Sequence, residues 1–468
     1  MAKFSKAAAE AIDIGSRLEL FVDDYLVERL EGARLKLQEP REANVALQLD
    51  KPWEGRHCGY FTVIKDGSLY RMYYRGMPTA GGDCTTNEVT CYAESSDGIN
   101  WIRPNLGFYE VQGTRENNII LANAAPVTHN FSPFLDTKPG VPQAERFKAV
   151  GGNEKSGLLP YLSADGVHWR KLRDEPILRG YAFDSQNLVF WSSGENCYVC
   201  YFRTWTKRNY AGFRTISRAT SKDFLHWNEP VEMNFGDTPL EHLYTNQTHP
   251  YFRAEHIYVA LAARFMPGRQ VVTDEQAREI QVSEAYYKDC SETVLMTSRG
   301  GNRYTRTFME AFVRPGIGAS HWVSRTNYPA LGVVPTGPTE MSFYMQRNSA
   351  QPTHHLRRYT LRTDGFISIN AGYAGGQFVT KPLIFKGKEL VINYSTSAAG
   401  SVRVEIQDVH GKPVTGYTLL ECSEIFGDEI ERVVAWQLGS DVSPLAGRPI
   451  RLRFVMKDAD LYSIRFRP

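Results

Sequence analysis

Apolar and polar positions alternate with a period of two over most of the chain, the pattern of strands with one buried face. GYFTVIKDGSLYRMYYRG (59–76) and VTCYAES (89–95) read as three strands in succession. The same grouping returns in HNFSPFLD, RFKAVGG and LLPYLSA, in LVFWSSGENCYVCYFR with FRTISRATS, and in THPYFRAEHIYVALAARF with ETVLMTS. TEMSFYMQR and LRRYTLR form a fifth group, whose first strand is expected to open at Glu340. Helical periodicity is confined to TDEQAREIQVSEAY (273–286), predicted as a short helix inside the fourth group.

A turn motif punctuates these groups. Ser95-Ser-Asp-Gly-Ile-Asn-Trp101 recurs as Ser163–Trp169 and Ser221–Trp227, with degenerate copies at Ser298–Tyr304 and Arg362–Ser368. Its third positions are 97, 165, 223, 300 and 364, spaced as the blades of a propeller would be. The aspartate accepts from nearby backbone N–H groups and glycine supplies a positive φ, so each copy is a hairpin device. Strand A, strand B, strand C, turn and strand D, five times over, predict a five-bladed β-propeller. Beyond residue 376 the turn stops, and LIFKGKELVINYSTS, GSVRVEIQD, IERVVAWQL and RPIRLRFVMKDADLYSIRF read as a β-sandwich. The expected fold class is therefore all-β, a five-bladed β-propeller over 17–375 with a C-terminal β-sandwich over 376–468. LELFVDDYLVE (18–28) and ARLKLQEP (33–40) are expected to complete the last propeller sheet and close the ring.

Composition narrows the function classes. Lys plus Arg number 54 against 52 Asp plus Glu, a net +2 with no basic block, so no nucleic-acid partner is expected. No window approaches 18 consecutive apolar residues, so no membrane span is expected. The first sixteen residues lack a signal peptide's apolar core, which reads as cytoplasmic, or as periplasmic or secreted if a leader has been removed. Seven cysteines include Cys197-x-x-Cys200 inside a strand, where alternate faces make them poor partners for one metal. Buried free thiols, no metal and no cofactor are expected. The sequence leaves the oligomeric state open.

Propeller topology sorts the polar residues. The Asp-Gly turns fall on one face as structural devices, while the D–A connections and the ends of strand B fall on the other, where the central funnel opens. Trp53 and Glu54, His129 and Asn130, Asp184, Glu241 with His242, Asn246 and His249, Glu310 with Arg314, and Glu340 are all expected there. An unpaired buried carboxylate is costly, so an acid at the head of an apolar strand should meet water or a ligand. Carboxylates converging on one funnel also spread their pKa values and yield an acid beside a base. The expected catalytic set is Asp184 as base or charge stabiliser, Glu340 or Glu310 as acid, with Glu54 and Glu241. Asp23 and Asp24 face opposite sides of a strand, so one can point inward. Arg75, Arg203 and Arg264 end strand B of three blades and suit an anionic or heavily hydroxylated sugar, though they would serve equally to neutralise funnel acids. His249, Asn130, Arg314 and Trp53 complete the expected binding set. Trp205, Trp322 and Tyr210 are further flat faces for a sugar ring, or simply core.

Five blades, acids at blade entries and a terminal sandwich resemble the glycoside hydrolases of the invertase/levanase and arabinanase type, over roughly residues 17–468. The Asn-Asp-Pro and Arg-Asp-Pro segments of the invertase-like enzymes do not occur. The nearest positions are Glu54 or Asp24 for the first acid, Asp184 for the middle one, and Glu241, Glu310 or Glu340 for the proton donor. LFVDDYL, PWEG and RPG segments also resemble bacterial invertase-like proteins without an assigned substrate. The resemblance implies a glycosidase with two carboxyl groups flanking a glycosidic bond, about 5 Å apart for retention or roughly 6.5–9.5 Å for inversion. It implies a carbohydrate substrate, a furanoside or an anionic sugar. The rival readings are a sialidase-like hydrolase, whose Asp-box the turn resembles and whose arginine clamp Arg75, Arg203 and Arg264 would form, a non-catalytic carbohydrate-binding propeller, and a lyase.

Overall fold

Five sheets succeed one another around the propeller, and the first three are built from the strand groups that the alternation predicts. The computed structural model describes residues 11–79 and 83–468. Blade one is Gly59–Asp66, Leu69–Gly76, Val89–Ser95 and Ile119–Leu121, in that order across the sheet. Blade two is Ser132–Leu135, Phe147–Asn153, Gly157–Ser163 and Arg170–Lys171, and blade three is Leu188–Ser192, Cys197–Lys207, Ala211–Ser221 and Val231–Glu232. Blade four carries Thr248–Tyr251, Ala254–Met266 and Cys290–Ser298. The predicted helix in its B–C connection forms at Asp274–Glu279, closed by a capping box in which Thr273 and Gln276 satisfy each other's backbone N–H groups. All seven cysteines are free, and Cys197 and Cys200 are buried.

The three intact turns work as their sequence predicts, while the degenerate fifth, Arg362–Ser368, leads into Ile367–Ala371 of another sheet. Ser95 Oγ accepts from the Asp97 and Gly98 N–H groups, and Asp97 Oδ1 accepts from those of Ile99 and Asn100 at 2.7 and 2.8 Å. Asp165 and Asp223 repeat this arrangement. Burial works the other way, but the hydrogen bonds outweigh it and hold all three carboxyls well below the usual carboxylate range. Gly98 and Gly166 take the left-handed position at φ +72° and +77°. In the third copy Phe224 takes it at φ 73°, buried against Phe134, Tyr198 and Trp227.

Blade five departs from expectation in two ways. Tyr328–Pro329 and Val334–Pro335 pair with Glu340–Arg347, so they form strand A and Glu340 opens strand B instead. Prolines at 329 and 335 had hidden these two short pieces, since proline does not read as strand. The ring is then closed by Arg41–Gln48, paired with His355–Arg362, and not by residues 18–40. Glu19–Leu20, Val27–Glu31 and Ala33–Leu37 instead pair with Arg451–Arg467, Gly376–Thr380 and Ile367–Ala371. A period of two shows that a segment is a strand and not which sheet it joins. Phe21, Leu26 and Val27 enter one core with Phe378, Leu390 and Ile392, with Phe21 edge-on to Phe378.

Two compact units result, residues 40–360 and residues 11–39 together with 361–468, where the sequence suggests 17–375 and 376–468. The second unit is the β-sandwich. Its long strands Glu389–Gln407 and Arg451–Arg467 pair along their length over a core that includes Val404, Leu452, Phe454 and Trp436.

Candidate active site at the mouth of the propeller

Strand A begins and strand B ends at the same end of the blades, and a narrow pocket opens there. Blade one supplies His57, Tyr60 and Arg75, blade three Gln186, blade four Tyr244, Gln247 and Tyr286, and blade five Arg325, Tyr328 and Gln346. Buried amides join the blades beneath it. Gln186 Nε2 donates to Thr62 Oγ1 at 2.9 Å, and Gln247 Nε2 donates to Gln186 Oε1 and to the Pro329 carbonyl, each at 2.8 Å. Non-glycine residues take positive φ at strand A in four blades: Tyr60, Phe183, Gln247, and both Arg325 and Asn327. Such backbone is costly and persists where packing over-determines it, which is common around binding sites. The enclosed space is about 20 Å³, room for one or two water-sized groups.

Cations and phenols dominate its chemistry, and among the described residues lining it there is no carboxylate. Arg75 lies over Tyr60 at 4.7 Å, and Arg203 lies over Tyr244 at 4.7 Å. Arg325 Nη1 donates to Tyr286 Oη at 3.0 Å. Burial would raise the Tyr244 phenol, but the Arg325 and Arg203 cations more than offset it and bring it below the ordinary tyrosine range. Tyr60 goes the other way, raised by burial and by the charge of Tyr244. Burial, followed by Arg325 and Arg75, lowers His57 to about 4, so it is neutral near pH 7.

Asp184 is the carboxylate at this rim. Its Oδ2 lies 2.6 Å from Arg203 Nη2, its side chain is 45% exposed, and its carbonyl accepts from Tyr60 Oη at 3.2 Å. Asp83, Glu88 and His129 form a second acidic group, with ligating atoms within 4.8 Å of one another, and they could hold a cation. His129 Nδ1 is 2.9 Å from Glu88 Oε1 and 3.2 Å from Arg75 Nη1. Those bonds already link Glu88 and His129 to Arg75, and the adjacent guanidinium opposes a further positive charge.

No family model matches the chain, and no curated protein matches it. Among solved structures it is similar to an N-acetylgalactosamine deacetylase from F. plautii, at 13% identity and a TM-score of 0.47, over 70% of this chain and 97% of that one. A Bombyx mori GH32 β-fructofuranosidase gives 10% identity and a TM-score of 0.44, covering 91% and 94% of the two chains. A family 43 arabinoxylan arabinofuranohydrolase from Bacillus subtilis gives 12% and 0.42, covering 88% and 96%.

Of the residues expected from sequence, the mouth gathers Asp184, Arg75 and Arg203. The other carboxylates lie elsewhere. Glu54 is fully buried and held by Arg103 at 2.9 Å, Tyr74 Oη at 2.7 Å and the Lys51 N–H. Glu340, at the head of strand B, is at the opposite end. It pairs with Arg358, which binds Asn44, which in turn donates to the Ile99 carbonyl of the first Asp-Gly turn. Glu241 is shared by Arg264 and Arg306, and Arg264 also pairs with Glu292, so that arginine is neutralised in place. Glu310 and Arg314 are exposed and do not line the pocket.

The expected binding residues divide the same way. Both His249 nitrogens are engaged within the fold, by the Gln247 carbonyl and the Val333 N–H. Asn130 spends its amide on Gly152, Phe183 and Ser185, and the Trp53 indole N–H donates to Asn118 in the core. Sequence reasoning missed Tyr60, Tyr244, Arg325, Asp83 and the two glutamines. One signal was available: Ser185-Gln186-Asn187 and Asn246-Gln247-Thr248 place glutamine at the same point of two blades. Arg347, which ends Glu340–Arg347, also extends the arginine pattern once the strand is correctly placed.

Proposed function

We propose that the protein is a glycoside hydrolase acting, at the mouth of the propeller, on a sugar that carries negative charge. One observation carries the reading: buried polar atoms cluster there without a hydrogen-bond partner among the described residues. They are Arg203 Nε and Nη1, Asp184 Oδ1, Arg75 Nε, His57 Nδ1, Tyr328 Oη and Gln247 Oε1. Buried polar groups left unmatched cost free energy, and a mixed set of donors and acceptors suits hydroxyls that do both. Arg75, Arg203 and Arg325 set the charge of the ligand, and the narrowness of the pocket admits a head group such as a carboxylate rather than a whole ring.

In this reading Tyr244 is the nucleophile. Its lowered pKa makes the phenolate accessible, and a phenol is repelled less than a carboxylate by an anionic substrate. Asp184, held by Arg203 through Oδ2, gives the proton of its unmatched Oδ1 to the leaving oxygen as Tyr244 attacks the anomeric carbon, and takes a proton back from the water that releases the sugar. Two displacements give retention of configuration. The test is a screen of uronate-bearing, sulfated and neutral aryl glycosides and polysaccharides. Asp184→Asn and Tyr244→Phe should each lower kcat/KM by about 10²–10⁴ with the fold intact by circular dichroism. Hydrolysis that survives Asp184→Asn, or binding with no hydrolysis of any substrate, would overturn it, and the latter would leave a binding propeller.

A further inference from the structure

Blade three has a longer central hairpin than blade two, whose two central strands run seven residues each. Cys197–Lys207 and Ala211–Ser221 each run eleven residues, carrying the chain past Arg203 to a turn in which Asn209 and Tyr210 both take positive φ. Trp205 and Tyr210 stand on this extension, edge to face at 6.2 Å. With Tyr181 they line an open cleft of about 560 Å³, room for sugar rings where the pocket at the mouth has room for a head group. Its charges balance, with Glu154 and Glu232 against Lys207 and Arg208.

Asp184 lies between the two spaces. Its carbonyl is held by Tyr60 of the pocket, it follows the cleft residues Tyr181 and Ala182 in the chain, and its charge acts on Tyr210. The cleft also carries its own unmatched polar atom, the buried Trp205 Nε1, which has no hydrogen-bond partner among the described residues. An indole edge beside phenol faces is a surface on which the apolar face of a sugar ring stacks while its hydroxyls meet a donor.

We infer that this cleft binds an uncharged sugar unit on the far side of the bond that is cleaved. It rests on the glycosidase reading and deepens it: the substrate is an oligosaccharide with a charged residue at the mouth, joined to a neutral residue over Trp205 and Tyr210. Blade three then decides what the leaving group is.

The experiment compares kcat/KM for the 4-nitrophenyl glycoside that the screen identifies with kcat/KM for a trisaccharide ending in the same sugar. Trp205→Ala and Tyr210→Ala should lower the ratio of trisaccharide to aryl glycoside at least tenfold, mainly through KM, with Tyr210→Phe restoring most of it. A ratio unchanged in both alanine variants overturns the cleft inference while leaving the hydrolase intact. Should the wild type hydrolyse neither substrate, the hydrolase reading fails and calorimetry decides the cleft separately. Titrating cellohexaose, xylohexaose and mannohexaose into wild type and Trp205→Ala should then show binding that weakens at least tenfold in the variant. No binding of any of the three at millimolar concentration overturns it.

Discussion

At the scale of single residues, the same side-chain chemistry means different things according to its neighbours. Burial raises both Tyr244 and Tyr60 in their shared pocket, yet Arg325 and Arg203 bring Tyr244 down, and the charge of Tyr244 then pushes Tyr60 further up. The expected outcome is a tyrosine that ionises below the usual value near 10. It would be read as tyrosinate absorbance appearing earlier on alkaline titration of the native protein than of the denatured chain. Glu54 gives the contrasting case of an acid that serves the fold. Burial, the largest influence, raises its pKa against the pull of Arg103. Glu54→Ala leaves Arg103 partly stranded and should cost about 3–5 kcal/mol in denaturant unfolding, with kcat of the remaining folded protein little changed. From sequence, Glu54 and Asp184 look alike, each an acid near the head of an apolar strand. Only the three-dimensional position of Arg103 and Arg203 tells the fully buried pair from the half-exposed one.

At the scale of elements, local signals were read well and partnerships between distant segments were not. The Asp-Gly turn is legible because the hydrogen bonds of its Ser and Asp side chains close within seven residues. Asp165→Ala removes the acceptor of the Val167 and His168 N–H groups and should lower stability by about 1–2 kcal/mol, seen as a shift in Tm. Blade five shows the limit of such reading. Its first strand is two short pieces ending in proline, and its last comes from residues 41–48, so the periodic run at 340–347 reads as strand A and puts Glu340 at the wrong end. A fragment of residues 40–360 contains every strand that closes the ring. It should therefore unfold cooperatively on heating, whereas residues 50–360, with the edge of His355–Arg362 uncovered, should aggregate or melt broadly.

For the molecule as a whole, the propeller carries an acid-sensitive set of histidines. Burial is the main cause in each case and lowers His57, His249 and His321 to about 4 and His354 to about 3. The unfolded chain binds these protons near pH 6.5, so between about 6.5 and 4 it holds more protons than the folded one. Stability present above pH 6.5 is therefore lost as pH falls through that window. Tm should drop from pH 7 to pH 5, and His249→Gln should reduce the drop if its amide keeps both hydrogen bonds. The sandwich has a different vulnerability, which follows from its being encoded in two pieces, one ahead of residue 40 and one after residue 360. During synthesis at about 5–20 residues per second, the ribosome takes roughly a quarter of a minute to a minute to deliver the intervening blades. Through that interval Leu20, Phe21, Leu26 and Val27 are outside the exit tunnel before the strands that will bury them have been made. The nascent chain thus offers chaperones a sticky leading segment long before its own partner arrives.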